Sequence, residues 1–309
     1  MVVFLFPGQG SQFPEMAKDL YENYDSVKSL FAMASEACGR DMKSLLFDGS
    51  AEDLKETENA QPAIVLASLA AREAMKAEGF ESSGAAGHSL GEYSAMVDAG
   101  VLTPEDALKA VTARGALMAA AGAEITADKG EIGMAAVIGI GPEAVREALE
   151  GKSDVWSANE NGPAQVAIGG TKAGMDGAAE ALKAAGARRI IPLKVSCPFH
   201  TPLMGGPADA MKSVLAEISF SDPVKAVWSN VSAGVVKTGE EARSLLVEQV
   251  THPVRWVDLM ASIAEKSPES LYEVGPGKVL TGLWSKSGQN GICFPAGTLG
   301  DLDTIKENR

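Results

Sequence analysis

The run Gly87-His88-Ser89-Leu90-Gly91 has the G-x-S-x-G spacing of a nucleophile elbow. In such an elbow a serine occupies a tight turn between a strand and a helix, and the flanking glycines leave room for the crossing backbone. The turn lifts the serine oxygen to where a substrate carbonyl can meet it. The N–H that follows, on Leu90, stands at the start of a helix and points at the same place, so an oxyanion produced by attack could be held there. A hydroxyl is a weak nucleophile, and this chemistry requires a base within hydrogen-bond reach.

Three histidines are available. His88 adjoins Ser89, and neighbours at a strand end point to opposite faces, so it reads as a packing or orienting residue. His252, in Thr251-His252-Pro253, reads as a loop histidine. His200 sits in Cys197-Pro198-Phe199-His200-Thr201-Pro202, where two prolines fix the backbone on either side. It is the best candidate for the base, a structural loop histidine being the alternative. No carboxylate stands out as its orienting group, and a backbone carbonyl would serve. Arg114 lies on the flank of an apolar stripe (Leu108, Val111, Gly115, Met118) of a helix, with Gly115 leaving room for close approach. It is either a structurally paired arginine or a ligand for an anion. Gly8-Gln9-Gly10-Ser11-Gln12 is a glycine-rich turn whose N–H groups could converge on an anion, or an ordinary strand-to-helix loop; it lacks the Lys and length of a P-loop. Gln61, before Pro62, reads as a helix-entry residue.

These residues must be positioned by a chain of 309 residues, 46% apolar and 22% charged, a globular composition with room for two structural units. A net charge of −14 argues against nucleic acid and anionic membrane as partners. Anionic substrates must then be met by local basic residues, for which Lys183, Arg188, Arg189, Lys194 and Lys286 are candidates. Cys38, Cys197 and Cys293 are an odd, widely spaced set that suits no disulfide framework. No apolar run reaches membrane-spanning length, and the opening Met1–Phe6 lacks the basic n-region of a signal peptide. A cytoplasmic, monomeric enzyme is expected.

Val2–Phe6 reads as a strand buried on both faces of a parallel sheet. Helices are expected over 16–24 and 26–39, and from about Asn59-Ala60-Gln61-Pro62 to Lys76, with Pro62 in the first turn. The strand required before Ser89, over 82–86, has poor propensity and would have to be held by its neighbours. Thr103-Pro104-Glu105-Asp106 starts a helix that runs to about Ala121. Beyond Gly122 the rhythm changes to strand 133–140, helix 142–149, strand 155–158, a turn at 159–163, strand 165–169, helix 173–185 and strand 188–195. This β-α-β-β-α-β order is the ferredoxin-like arrangement, an inserted unit over 125–196 within a larger unit of 1–124 and 197–309.

Gly8-Gln9-Gly10-Ser11-Gln12, Gly87-His88-Ser89-Leu90-Gly91-Glu92, Arg114-Gly115-Ala116-Leu117-Met118, Pro198-Phe199-His200 and Glu273-Val274-Gly275-Pro276-Gly277 occur in that order along nearly the whole chain. Together they resemble the malonyl-CoA:acyl carrier protein transacylase family, the acyltransferases of fatty-acid and polyketide synthesis. The resemblance implies an α/β-hydrolase-like large subdomain with a parallel sheet, and a ferredoxin-like small one. It implies Ser89 as nucleophile, His200 as base, the N–H groups of Gln9 and Leu90 as oxyanion hole, and Arg114 as the holder of the malonyl carboxylate. The backbone carbonyl of Gln249 would orient the histidine, which fits the missing acid. Malonyl-CoA and an acyl carrier protein bearing phosphopantetheine would be the partners, with no bound cofactor or metal. Ala119 departs from the family's frequent glutamine after the methionine, and Phe199 resembles the malonyl-type pattern more than the methylmalonyl type. A serine hydrolase or thioesterase would use the same Ser–His pair, as would a polyketide-pathway acyltransferase acting on another acyl-CoA.

Overall fold

The computed structural model describes residues 1–307. Its first sheet is parallel, with order β7-β2-β1-β8-β9: β1 Val2–Phe6, β2 Gly84–Gly87, β7 Ala226–Trp228, β8 Ser270–Glu273 and β9 Cys293–Pro295. β1 lies at its centre because both of its faces are apolar. Phe4 and Phe6 enter one core with Ile64 and Leu66, and Val3 and Leu5 enter a second with Trp228, Trp256 and Leu259. β2, with sequence Gly-Ala-Ala-Gly, has little preference of its own and is held in register by β1 on one edge and β7 on the other. Its small residues let the helix Gly91–Asp98 pack closely behind it. A Cβ on Gly87 would stand 2.0 Å from the carbonyl carbon of Gly91, and one on Gly91 would stand 2.1 Å from the Phe6 oxygen.

The second sheet is antiparallel with order β4-β5-β3-β6: β3 Ile132–Ile138, β4 Val155–Gly162, β5 Gln165–Thr171 and β6 Arg189–Pro192. Helices Pro142–Leu149 and Lys172–Ala184 cover one face, burying Val137, Val145, Ile168 and Leu182. The order is the ferredoxin-like one, so the architecture is α/β with an α/β-hydrolase-like parallel sheet beside a smaller antiparallel one.

Three local expectations are corrected. The turn expected at 159–163 is instead the end of β4, which reaches Gly162. Two register shifts against β5 accommodate it, and the other edge is stitched to the first lobe, with Glu160 N–H donating to the Val254 oxygen at 2.8 Å and Val254 N–H to the Ala158 oxygen at 2.9 Å. Pairing on both edges overrides the turn preference of Asn-Glu-Asn-Gly. The long helix begins at Thr57, two residues before the expected Asn59, so Pro62 lies within it rather than in its first turn. The Glu58 carbonyl that loses its helical donor to the proline accepts instead from Arg40 at 3.3 Å. The helix capped by Thr103 runs on past Ala121 to Lys129. Among the described residues no helix is long and apolar enough to cross a membrane.

The elbow has no room for one more carbon. Gly91→Ala is expected to cost at least about 1–3 kcal/mol through overpacking, read as a lowered denaturation midpoint; an unchanged midpoint would show that the crossing of β1 and the elbow is looser than described.

Candidate active site

Ser89 lies one residue beyond the end of β2, after His88, and has φ +50°, a left-handed conformation that costs a non-glycine residue energy and needs support from its surroundings. Two side chains from distant segments supply it. Asn230, just beyond β7, accepts from Ser89 N–H at 2.6 Å through Oδ1 and donates from Nδ2 to the Gly87 oxygen at 2.6 Å. Gln249, at the C-terminal end of the helix Gly239–Glu248, donates from Nε2 to the Ser89 carbonyl at 2.9 Å. The serine is thus held from both sides of its own peptide units.

His200 also has positive φ, +60°. Its Nε2 lies 2.6 Å from Ser89 Oγ, and its Nδ1 lies 2.8 Å from the Gln249 carbonyl oxygen. A carbonyl only accepts, so Nδ1 carries the proton and Nε2 is the bare nitrogen that faces the hydroxyl. Burial, reinforced by the positive charge of Arg114, lowers the His200 pKa to about 3. The ring is therefore neutral and able to take a proton throughout the ordinary pH range.

Arg114 is 2% exposed, midway along the helix Pro104–Lys129. It reaches the site because Gly115 lets this helix approach the helix Thr57–Ala77; a Cβ on Gly115 would lie 3.0 Å from Glu58 Cα. Its Nη1 donates to Gln61 Oε1 at 2.9 Å and its Nη2 to Gln249 Oε1 at 3.1 Å, while Nε is buried with no partner. Both partners are neutral amides, so the guanidinium keeps its full charge and an unsatisfied donor.

Ser89, His200, Arg114, Gln9 and Leu90 line one cleft of about 180 Å³, with Met134, Asn161, Leu193 and Val195 from the smaller unit and its outgoing chain as the opposite wall. Gln249 stands behind these residues and joins them. Among the described residues, the amide N–H groups of Gln9 and Leu90 find no acceptor within the protein. His88 pairs through Nε2 with Asn161 Oδ1 at 2.8 Å and meets the Trp256 ring edge-on, tying the elbow to β4. His252 is exposed, with Nδ1 2.8 Å from the Glu248 oxygen. Of the basic candidates, Lys183, Arg188 and Arg189 gather along a groove that shares Met134, Leu193 and Val195 with the cleft; Lys194 and Lys286 line neither.

Gln61, Asn161 and Asn230 were not legible as site residues. Gln61 reads as a helix entry because its partner, Arg114, lies 53 positions away. Asn230 follows a strand of a parallel sheet, and the carboxyl ends of such strands are where sites gather, the one signal that could have pointed to it.

A neutral imidazole on an elbow serine, in a cleft with two N–H groups that find no acceptor among the described residues, at the carboxyl end of a parallel sheet, is an arrangement that suits acyl transfer. The acyl transferase domain model matches residues 3–294, and the chain belongs to that family. It is 42% identical over 289 residues to a malonyl CoA-acyl carrier protein transacylase of Bacillus subtilis (strain 168), covering 92% of this chain and 90% of the relative. It is 42% identical over 284 residues to that of Escherichia coli (strain K12), covering 91% and 90%. Among solved structures, MCAT from Streptococcus pneumoniae superposes with a TM-score of 0.94 at 36% identity, covering 100% of both chains. A malonyl-transacylase solved in complex with its type II PKS acyl-carrier protein superposes with a TM-score of 0.93 at 38% identity, covering 100% of this chain and 99% of that one.

With its pKa held at about 3, the His200 ring is expected to show no change of protonation between pH 5 and 8 in an NMR titration; a titration within that window would contradict the geometry described.

Proposed function

We propose that the protein moves a malonyl group from malonyl-CoA to the phosphopantetheine thiol of an acyl carrier protein, through a malonyl ester on Ser89. The reading is supported above all by one arrangement: the Ser89–His200 contact of 2.6 Å opens onto the same cleft as the charged Arg114 with its unsatisfied donor. The relatives bear names of the same activity, and one solved neighbour was captured with its carrier protein.

In the first half-reaction, Ser89 Oγ attacks the thioester carbon while His200 Nε2 accepts the hydroxyl proton. The oxyanion is stabilised by the N–H groups of Gln9 and Leu90. The C–S bond breaks, the departing CoA thiolate takes the proton from His200, and the ester remains. In the second, the carrier's thiol gives its proton to His200 and attacks the ester; the C–O bond breaks and Oγ recovers the proton. The Gln249 carbonyl keeps Nδ1–H directed away from the serine, so Nε2 stays available in both halves. Thiol attack, not attack by water, makes the enzyme a transferase rather than a hydrolase.

Arg114 selects the diacid. Two of its five N–H groups are used by Gln61 and Gln249, which leaves donors for the free malonyl carboxylate. A charge-assisted bond contributes about 1.5–3 kcal/mol, so two of them favour malonyl over acetyl by roughly 10²–10⁴. The segments 1–124 and 197–309 act in this scheme as the lobe that carries the reacting groups, and 125–196 as the lobe that closes the other wall. The scheme draws on no resident prosthetic group. The reaction belongs in the cytoplasm, where the buried free thiols Cys38, Cys197 and Cys293 stay reduced, and it supplies malonyl units for fatty-acid synthesis, polyketide synthesis being the alternative.

Exposure to malonyl-CoA alone, followed by intact-mass measurement, is expected to show one malonyl adduct on the native protein and none on Ser89→Ala; an adduct on the variant would refute the serine ester. Added carrier protein should discharge the adduct far faster than water does. Arg114→Ala is expected to lose malonyl-over-acetyl preference by about 10²-fold or more in kcat/KM, and unchanged selectivity would remove Arg114 from this role. Transfer to the carrier is expected to slow as salt rises, through Lys183, Arg188 and Arg189 near the cleft; flat salt dependence would argue against steering.

A further inference from the structure

One buried acid takes no part in the scheme above. Glu92, in the first turn of the helix Gly91–Asp98, is fully buried. Its Oε2 accepts from Gln249 Nε2 at 2.6 Å, and its Oε1 accepts from Asn230 N–H at 3.3 Å. These two partners are the residues that grip Ser89 from either side.

The Gln249 amide has two possible orientations, and its neighbours permit only one. As placed, Nε2 serves the two acceptors, the Ser89 carbonyl and the Glu92 carboxylate, while Oε1 receives Arg114 Nη2. The reversed amide would set its oxygen against two oxygens and its N–H groups against a guanidinium. The carboxylate thus fixes which end of Gln249 meets Arg114. It also supplies the buried counter-charge to that cation without touching it: Glu92 and Arg114 are joined through the length of one amide. A direct ion pair would use up the guanidinium; the relay leaves it free for a substrate carboxylate.

We infer that Glu92 is a positioning residue for the acyl transfer, setting Gln249 and Asn230 so that Ser89, His200 and Arg114 keep their relative places. The inference rests on the proposed function of the cleft. It requires an ionised acid, because only a carboxylate offers acceptors on both oxygens. A glutamine there must turn an NH₂ group toward one of two donors, Gln249 Nε2 or Asn230 N–H. Protonation has the same effect on one oxygen. Burial raises the Glu92 pKa to about 7, the bonds from Gln249, Asn230 and Ser229 and the charge of Arg114 only partly offsetting it. The charged and titratable groups facing it are Arg114 and Tyr93, the latter pushed up to about 12 by burial, while His200 lies near 3; none of these changes state near neutrality. Ester formation should therefore weaken as pH falls through about 7, on a limb that belongs to Glu92.

The test is Glu92→Gln beside Glu92→Asp, with single-turnover formation of the Ser89 ester from malonyl-CoA and from acetyl-CoA measured across pH 5–9. The expected result for Glu92→Gln is a drop of about 10- to 100-fold with malonyl-CoA, the range produced by one orphaned buried donor, together with a lower malonyl-to-acetyl ratio and loss of the limb near neutrality. Glu92→Asp keeps two acceptors and should retain the limb with part of the rate. Unchanged rate, ratio and limb in Glu92→Gln would overturn the inference. So would a slower Glu92→Gln that keeps the native ratio and limb, since that is the mark of a purely structural acid. If Glu92→Gln does not fold, the native profile and Glu92→Asp decide, and a native profile flat through pH 7 overturns it. Failure of native protein to form any ester would instead strike the proposed function itself.

Discussion

The site depends on Gln249. Its backbone carbonyl accepts from His200 Nδ1, its side-chain Nε2 donates to the Ser89 carbonyl, and its side-chain Oε1 accepts from Arg114. The Ser89 hydroxyl, the His200 imidazole and the Arg114 guanidinium come from three different segments, and a single residue registers all of them. The reason one residue can do so is its place at the end of the helix Gly239–Glu248: its own N–H completes the last helical turn to Leu245 at 2.8 Å, while its carbonyl, past that turn, is free to accept from a side chain. A carbonyl in this role also explains why no acid accompanies the histidine. A carboxylate beside Nδ1 would hold the ring's pKa up, whereas a neutral acceptor in a buried site lets it fall to about 3.

Strain is stored at Ser89 and His200. Ser89 and His200 both sit at positive φ, which brings Oγ and Nε2 out of their local chain directions to face each other. The surrounding structure over-determines both conformations. For Ser89 the support is Asn230 and Gln249, together with the glycine crossing at 87 and 91; for His200 it is the bond to Gln249 and the turn in which Thr201 Oγ1 donates to the Pro198 oxygen at 2.6 Å. The same crowding that forbids a side chain at Gly91 is what fixes the serine.

The elements were legible in the sequence wherever local chemistry decides them. β1 follows from an apolar run ended by proline and glycine, and the start of the helix Pro104–Lys129 follows from its Thr103 cap, whose Oγ1 accepts from Asp106 N–H at 3.0 Å. The elbow serine and the proline-bracketed histidine were legible because strained turns need particular residue types. β4 was misread at its end because pairing to β5 and to Val254 outweighs the turn preference of its residues. The start of the helix Thr57–Ala77 was misread because the interior proline is relieved by Arg40, a partner from another segment. The side-chain network of the site lay out of reach for the same reason: the bonds from Gln249 to Arg114 and to Ser89 span 135 and 160 positions. No local pattern encodes pairs so distant.

The most direct measurement of the central claim is a crystal structure of the protein trapped after brief exposure to malonyl-CoA. The account predicts a malonyl ester on Ser89 Oγ, its carbonyl oxygen on the N–H groups of Gln9 and Leu90, and its free carboxylate on the Arg114 donors left open by Gln61 and Gln249. An ester whose carboxylate turns away from Arg114, or an acyl group attached anywhere other than Ser89, would contradict it.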